Sequence, residues 1–239
     1  MPENRINSSG IPPQDLEKAT FAGGCFWCMQ ALFDKVKGVV STVAGYTGGH
    51  KKNPTYEEVC SGKTGHFEAI EILYDPSRVT YKQLLYMTTY IIAHKIRLSK
   101  HLSCRLVRHP SGKKDSRQAG MTQYAQKLMT LCIDICWKNI EPTMLNRQFV
   151  DFGTQYRTTI FYHDEEQKRL AEASKERLDK SGKFYKPIVT EIQPASTFYK
   201  AKEYHQQYYK KNPIRYEFYE AHSGRSQYLK TIWSSEAKK

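Results

Sequence analysis

The apolar residues of this 239-residue chain fall into short runs whose spacing switches between the strand and helix periods. The first run begins near Ala19 and closes on Ala22, Gly23 and Gly24, as a strand entering a turn does. Beyond it Trp27, Ala31, Leu32 and Val36 recur at helical spacing. Residues 39–46, 67–74, 155–162 and 188–192 are rich in β-branched and aromatic side chains and predict further strands. In the second of these, Glu68, Ile70 and Ile72 share one face. Residues 164–180 predict a charged amphipathic helix with Asp164 as its N-cap. Strands interleaved with such helices predict an α+β domain, with helices packed on a mixed sheet. A chain of this length can bury one substantial core without disulfide staples.

Charge changes the picture in one place. Residues 88–135 hold nine Lys or Arg against two acids, and so carry +7 of the chain's +13. The remainder is only modestly basic. Segments 90–98 and 121–137 each contain apolar residues and flank a polar, turn-rich stretch at 111–120. The first 17 residues are polar and contain proline, without an apolar signal core or an Arg-rich transit pattern. No run reaches membrane-spanning length, so no membrane association is expected. Six cysteines, with one pair spaced for redox work, suit a reducing compartment. Cytoplasmic location is the first expectation, with the nucleus left open.

The chemistry concentrates at Gly24-Cys25-Phe26-Trp27-Cys28. Cys25 stands at the strand-to-helix turn, where free backbone N–H groups and the helix dipole favour a thiolate. Cys28 follows one turn later on the same face, where it could capture a sulfenic acid on Cys25 as a disulfide after some local unwinding. A Cys-x-x-Cys pair is also half of many zinc sites. Here Cys60 is isolated, and Cys132 and Cys136 have three residues between them, so no convincing second half appears. A thioredoxin-like site usually has small or turn-forming residues between its cysteines. Phe26 and Trp27 are bulky and apolar, better suited to the wall of a pocket for a methyl or thioether group.

Further along stand Gly45-Tyr46-Thr47-Gly48-Gly49, Asn53-Pro54-Thr55-Tyr56-Glu57-Glu58-Val59-Cys60-Ser61-Gly62, Thr64-Gly65-His66-Phe67-Glu68 and Asp151-Phe152-Gly153-Thr154-Gln155-Tyr156-Arg157. With Gly24-Cys25-Phe26-Trp27, and in this order, they resemble the motifs of the type A peptide methionine sulfoxide reductase family. The resemblance spans about residues 18–87 and 137–209 and weakens toward the end. It narrows the fold to a ferredoxin-like plait with long active-site loops. It implies thiol-dependent reduction of methionine S-sulfoxide in proteins, and possibly of the free amino acid, with oxidised proteins as substrates.

Residue by residue, the resemblance makes Cys25 the nucleophile and Glu68 the acid that protonates the departing oxygen. Burial beside Phe67 and Ala69 would raise the Glu68 pKa as that role requires. The bland alternative is a strand carboxylate paired with a base. Tyr56 and Tyr156 match the tyrosines that donate to the sulfoxide oxygen, and Asp151 the aspartate that orients groups around the nucleophile. Taken alone, each of these would be an ordinary half-buried tyrosine or a loop aspartate. Phe26 and Trp27 would line the methyl pocket, or simply pack the core. Cys28 is the resolving candidate, because no cysteine follows Cys136. Cys60 is expected to be structural. A Cys25–Cys28 disulfide would then be reduced by thioredoxin or a similar dithiol. No cofactor and no metal are implied, nucleic acid is not an expected partner, and a monomer is expected.

The resemblance also exposes an interruption. In the family, a segment like 81–87 runs through an aromatic residue directly into one like 137–143, whereas here 88–135 intervene. The expected organisation is a flexible segment at 1–17 and one reductase domain at 18–239, interrupted at about 88–135. That insert could be a basic arm for an acidic partner, a neutral helical excursion, or translated sequence that transcript processing normally removes. The third is favoured, since joining Met87 to Cys136 restores a continuous family-like helix. The competing function class is a zinc- or nucleic-acid-binding module using the Cys25/Cys28 pair or the basic insert.

Overall fold

The structure, a computed structural model, describes residues 16–86 and 136–233. The insert at 88–135 and almost all of the N-terminal segment therefore lie outside the described residues.

Six strands form one sheet: β1 (Glu17–Gly23), β2 (Val39–Thr47), β3 (Phe67–Tyr74), β6 (Thr158–Tyr162), β7 (Glu191–Pro194) and β8 (Tyr199–Lys200). Their order is β7-β6-β1-β3-β2-β8. Only β6 and β7 run parallel, and every other neighbouring pair is antiparallel. A separate two-stranded ribbon joins β4 (Arg147–Gln148) to β5 (Asp151–Phe152). The register sets Phe21 against both Ile70 and Ile160, and Tyr46 against Glu68.

The sheet buries two faces because side chains alternate along each strand. Phe21, Ile70 and Ile72 pack into the main core with helices α1 (Phe26–Phe33), α3 (Tyr81–Tyr86) and α4 (Glu165–Lys180). Ala22, Phe67, Ala69 and Phe161 face the other way, where Ala195 and Phe198 cover them. Glu68 lies in register with Ile70 and Ile72, and so is delivered to the helix side. Asp164 caps α4 as the sequence predicts, its carboxylate accepting the Gln167 N–H at 2.8 Å. Both flanks of the insert keep core positions, with Leu84, Leu85 and Trp137 fully buried and the Trp137 indole donating to Ser174 Oγ at 2.9 Å. Among the described residues no helix is long and apolar enough to cross a membrane.

Three expectations are corrected. The strand expected at 155–162 begins only at Thr158, because Gly153 (φ 133°) leads into a 3₁₀ turn over Thr154–Tyr156. The strand expected at 188–192 is displaced to Glu191–Pro194, since the Val189 N–H donates to the Pro142 carbonyl instead of joining the sheet. Helix α1 ends at Phe33, short of Val36, and it buries Phe26, Cys28, Met29, Gln30, Ala31 and Phe33. A helix buried nearly all round has no single apolar stripe to read. It is enclosed because the chain's C-terminal part returns over it. Helix α5 (Tyr208–Lys211) follows a turn pinned to α1 by the Gln207 N–H on Gln30 Oε1, 2.7 Å. Helices α6 (Pro213–His222) and α7 (Arg225–Trp233) complete the chain's described part.

Candidate active site

Cys25 is the N-cap of α1, and Gly24 before it adopts φ +81° to turn the chain off β1. A Cβ at Gly24 would lie 2.5 Å from the Cβ of Gln148, so only glycine fits this turn. The first free N–H of the helix, that of Phe26, donates to Glu68 Oε2 at 3.0 Å. This bond places the Glu68 carboxyl beside Cys25. Glu68 is 2% exposed, and among the described residues no cation pairs with it. Burial pushes its carboxyl up to about 8, against the lowering effect of the Phe26 N–H and with help from the charges of Asp151 and Cys28. The alternative of a strand carboxylate paired with a base therefore falls away.

The thiols depart from expectation. A helix N-terminus favours a thiolate, yet burial pushes the Cys25 thiol well up, and a hydrogen bond to Cys28 with the charges of Cys28, Glu68 and Asp151 pushes the same way. Cys28 moves oppositely, down to about 7, because the Cys25 thiol donates to its sulfur. Burial resists that shift, while the charge of Arg225 and a hydrogen bond from Tyr216 assist it. Ionisation of the pair is thus drawn toward Cys28, with Cys25 as the thiol that keeps its proton.

The two tyrosines reach this spot from separate loops. Tyr56 opens α2 (Tyr56–Cys60), which is nucleated by a capping box: Thr55 Oγ1 accepts the Glu58 N–H, and Glu58 Oε2 accepts the Thr55 N–H at 2.9 Å. Tyr156 ends the 3₁₀ turn after β5. Gln155 Nε2 on the Cys60 carbonyl and Thr154 Oγ1 on the Gly62 carbonyl, each 3.4 Å, tie those loops together. Both phenols are pushed far up, first by burial and then, for Tyr56, by its bond to Cys60 and, for Tyr156, by the charge of Glu68. They remain donors. Asp151, on β5, accepts from Tyr219 Oη at 2.5 Å, and burial raises its carboxyl against the pull of Tyr219 and Arg225. Cys60 is half-buried with its thiol pushed up by burial, as suits an inert cysteine.

Phe26 is fully buried and touches the rings of Trp27, Tyr46 and His205 at 6.3, 5.9 and 5.3 Å. Each of those three neighbours carries a buried polar atom without a partner: Trp27 Nε1, Tyr46 Oη and His205 Nδ1. Trp27 is stacked on Tyr208 at 3.9 Å and 11°, with Tyr219 against its edge. Cys25 and Cys28 are 6% and 7% exposed, so the site as it stands is closed.

Residue-level reading of the sequence missed this cover: His205, Tyr208, Tyr216, Tyr219 and Arg225. The only local signal was the density of aromatic and polar residues between 204 and 219. Among the described residues no group of three or more His, Cys, Asp or Glu is placed to hold a metal.

A thiol pair, a neutral buried carboxylic acid and two phenol donors at the mouth of an α+β sheet define a cysteine-dependent oxidoreductase acting on a polar, uncharged group. The family model for peptide methionine sulfoxide reductase matches residues 17–95 and 122–237, and this chain belongs to that family. It is 44% identical over 220 residues to the peptide methionine sulfoxide reductase MsrA of Listeria monocytogenes, covering 92% of this chain and 97% of that one. Against MsrA of Bacillus subtilis the identity is 41% over the same shares. Among solved structures, reduced Mxr1 from Saccharomyces cerevisiae superposes with TM-score 0.57 at 26% identity, covering 84% of this chain and 88% of that one. Methionine sulfoxide reductase A of Corynebacterium diphtheriae gives 0.55 at 27% identity, over 90% and 84%. The chain is a thiol-dependent methionine sulfoxide reductase, and the zinc- or nucleic-acid-binding alternative is not supported. The family match omits 96–121, inside the stretch that the sequence marks as an insert.

Proposed function

We propose that Cys25 reduces the sulfoxide of methionine S-sulfoxide, with Glu68 as proton donor and Cys28 as resolving thiol. The observation that supports this most directly is the carboxyl of Glu68, buried without a cation and fixed to the Phe26 N–H beside Cys25. Tyr56 and Tyr156 donate to the sulfoxide oxygen, and the methyl group lies against Phe26 and Trp27. Cys25 attacks the sulfoxide sulfur while its own proton passes along its hydrogen bond to Cys28. Glu68 delivers a proton to the oxygen as the S–O bond breaks, and the hydroxyl bonds to the Cys25 sulfur as the new bond between Cys25 and the substrate sulfur breaks, its electron pair staying on the thioether. The sulfoxide is reduced to the thioether, Cys25 is oxidised to the sulfenic acid, and the negative charge moves from Cys28 to Glu68. Asp151, held by Tyr219, orients the groups around the nucleophile. Cys28 then attacks the Cys25 sulfenic sulfur: an S–S bond forms, the S–O bond breaks, and the hydroxyl leaves with the Cys28 proton as water. Thioredoxin or a comparable dithiol reduces the disulfide.

The connectivity β1-α1-β2-β3-helix-β6, with β6-β1-β3-β2 as the central order, supports a ferredoxin-like plait carrying one reductase domain at 18–239. We place the protein as a monomer in the cytoplasm, acting on oxidised proteins. The test is turnover of the two methionine sulfoxide epimers with dithiothreitol or thioredoxin. Reduction of the S epimer alone is expected, abolished in Cys25→Ser and slowed by about 10²- to 10⁴-fold in Glu68→Gln. Full activity in Cys25→Ser refutes the assignment.

A further inference from the structure

Arg225 opens α7, far from every motif, yet its side chain reaches the turn that carries Cys25. It is 6% exposed. Nη1 donates to the Asn139 carbonyl at 2.5 Å and Nη2 to the Gly23 carbonyl at 3.3 Å. The guanidinium lies 4.6 Å from the centroid of the Phe149 ring, and Nε has no partner. A Cβ on Gly24 would come within 3.3 Å of Nη2, which puts this cation against the turn that carries Cys25. Burying a guanidinium is costly unless a negative charge faces it, and among the described residues no carboxylate forms an ion pair with Arg225.

The groups around it decide what it balances. Helix α1 presents Cys25 and Cys28, β5 presents Asp151, β3 presents Glu68, and α6 presents Tyr216, Tyr219 and Glu220. Glu68 is neutral, the tyrosines are protonated, and Glu220 is taken up by Ser226. Asp151 is held by Tyr219. The negative charges left to face Arg225 are the Asp151 carboxylate and the Cys28 sulfur of the pair, and its charge favours the ionised form of both.

We propose that Arg225 is a positioning residue that balances the charge of the Cys25–Cys28 pair: it anchors the Gly23 carbonyl and supplies the positive charge facing the sulfurs. The lowering of Cys28 by the Arg225 charge agrees with this placement. The C-terminal helix thereby takes part in activating a nucleophile at the other end of the chain. The inference rests on the thiol chemistry proposed above, but it is tested on the resting protein.

The rate of iodoacetamide alkylation of the reduced protein, followed against pH, reports ionisation of the pair. In Arg225→Gln the inflection is expected to rise by about one pH unit or more, as removal of a nearby opposite charge requires. Arg225→Lys, which keeps the charge but not the planar fork, is expected to restore most of the shift. Arg225→Met, which keeps the buried stem, replaces the glutamine variant if that one fails to fold. Profiles that superimpose on the parent, or a lysine variant that behaves like glutamine, overturn the inference. A parent protein that shows the shift but reduces no sulfoxide overturns the proposed function and leaves Arg225 in place.

Discussion

The carboxyl of Glu68 receives one N–H and faces no cation, so its charged form lacks the solvation that water would give it. In the folded protein its proton leaves at about 8 instead of 4.5. Between those two pH values the folded state holds a proton that the unfolded chain has lost, so stability falls as pH rises across that window. At about 1.4 kcal/mol per pH unit, the loss reaches roughly 3 kcal/mol by pH 7. Glu68→Gln removes it. The variant should therefore melt higher than the parent at pH 7, match it near pH 4, and still be a poor enzyme; an equal melting difference at both pH values counts against this origin. The parent's sulfoxide reduction should also fall as pH rises through about 8, where the acid loses its proton. The face that Glu68 occupies was legible from its alternation with Ile70 and Ile72. The state of Cys25 was not. A helix terminus is a local feature, whereas the burial that outweighs it is set by the whole fold, and the charge of Asp151, far along the chain, adds to it.

At the scale of elements, the β1–α1 turn is the narrowest fit. Gly24 has φ +81°, and a methyl there would meet Gln148 Cβ at 2.5 Å and Cγ at 2.9 Å. Gln148 cannot yield readily, because its fully buried amide bonds the Glu141 N–H at 2.9 Å and the Glu141 carbonyl at 2.8 Å. Gly24→Ala should cost roughly 1–3 kcal/mol, as overpacking does, and lower kcat/KM by shifting Cys25. Thermal melting with steady-state kinetics checks this, and an alanine variant of unchanged stability and activity would mean that the turn is slack. Strands β2 and β3 and helix α4 were legible because each has one dominant period and clear ends. The displaced β7 was not, since its approach at Val189 pairs with Pro142 by a contact no local pattern encodes. Likewise, α5 to α7 are tied to the rest of the fold by long-range contacts such as the Trp27–Tyr208 stack and the Tyr219–Asp151 and Arg225–Asn139 hydrogen bonds. Gln206 bonds both the N–H and the carbonyl of Ala44, and Gln207 bonds Gln30.

For the whole molecule, the open question is what the basic interruption contributes. The family match runs to residue 95 and resumes at 122, so the stretch it omits lies inside the 88–135 read from the sequence as an insert. Residues 96–121 contain seven Lys or Arg and one acid, and so carry +6 of the chain's +13. The flanks, by contrast, are committed to the core: Leu84, Leu85, Trp137 and Ile140 are fully buried. Each such side chain is worth about 1.5 to 3 kcal/mol, a sizeable share of a total stability of roughly 5 to 15. Deleting 96–121 should therefore leave the melting temperature and sulfoxide turnover at or above those of the full chain. Trp137→Ala should lower stability by about 3–5 kcal/mol, because it empties a packed, fully buried site. If the deletion instead lost as much stability as the tryptophan variant, residues 96–121 would be packed against the reductase core. Binding to nucleic acid is the separate outcome to watch, measured as salt-sensitive retention of the full chain and its absence in the deletion. With the charge of that segment gone, the remaining surface is close to that of a weakly basic enzyme, and no such retention is expected of it.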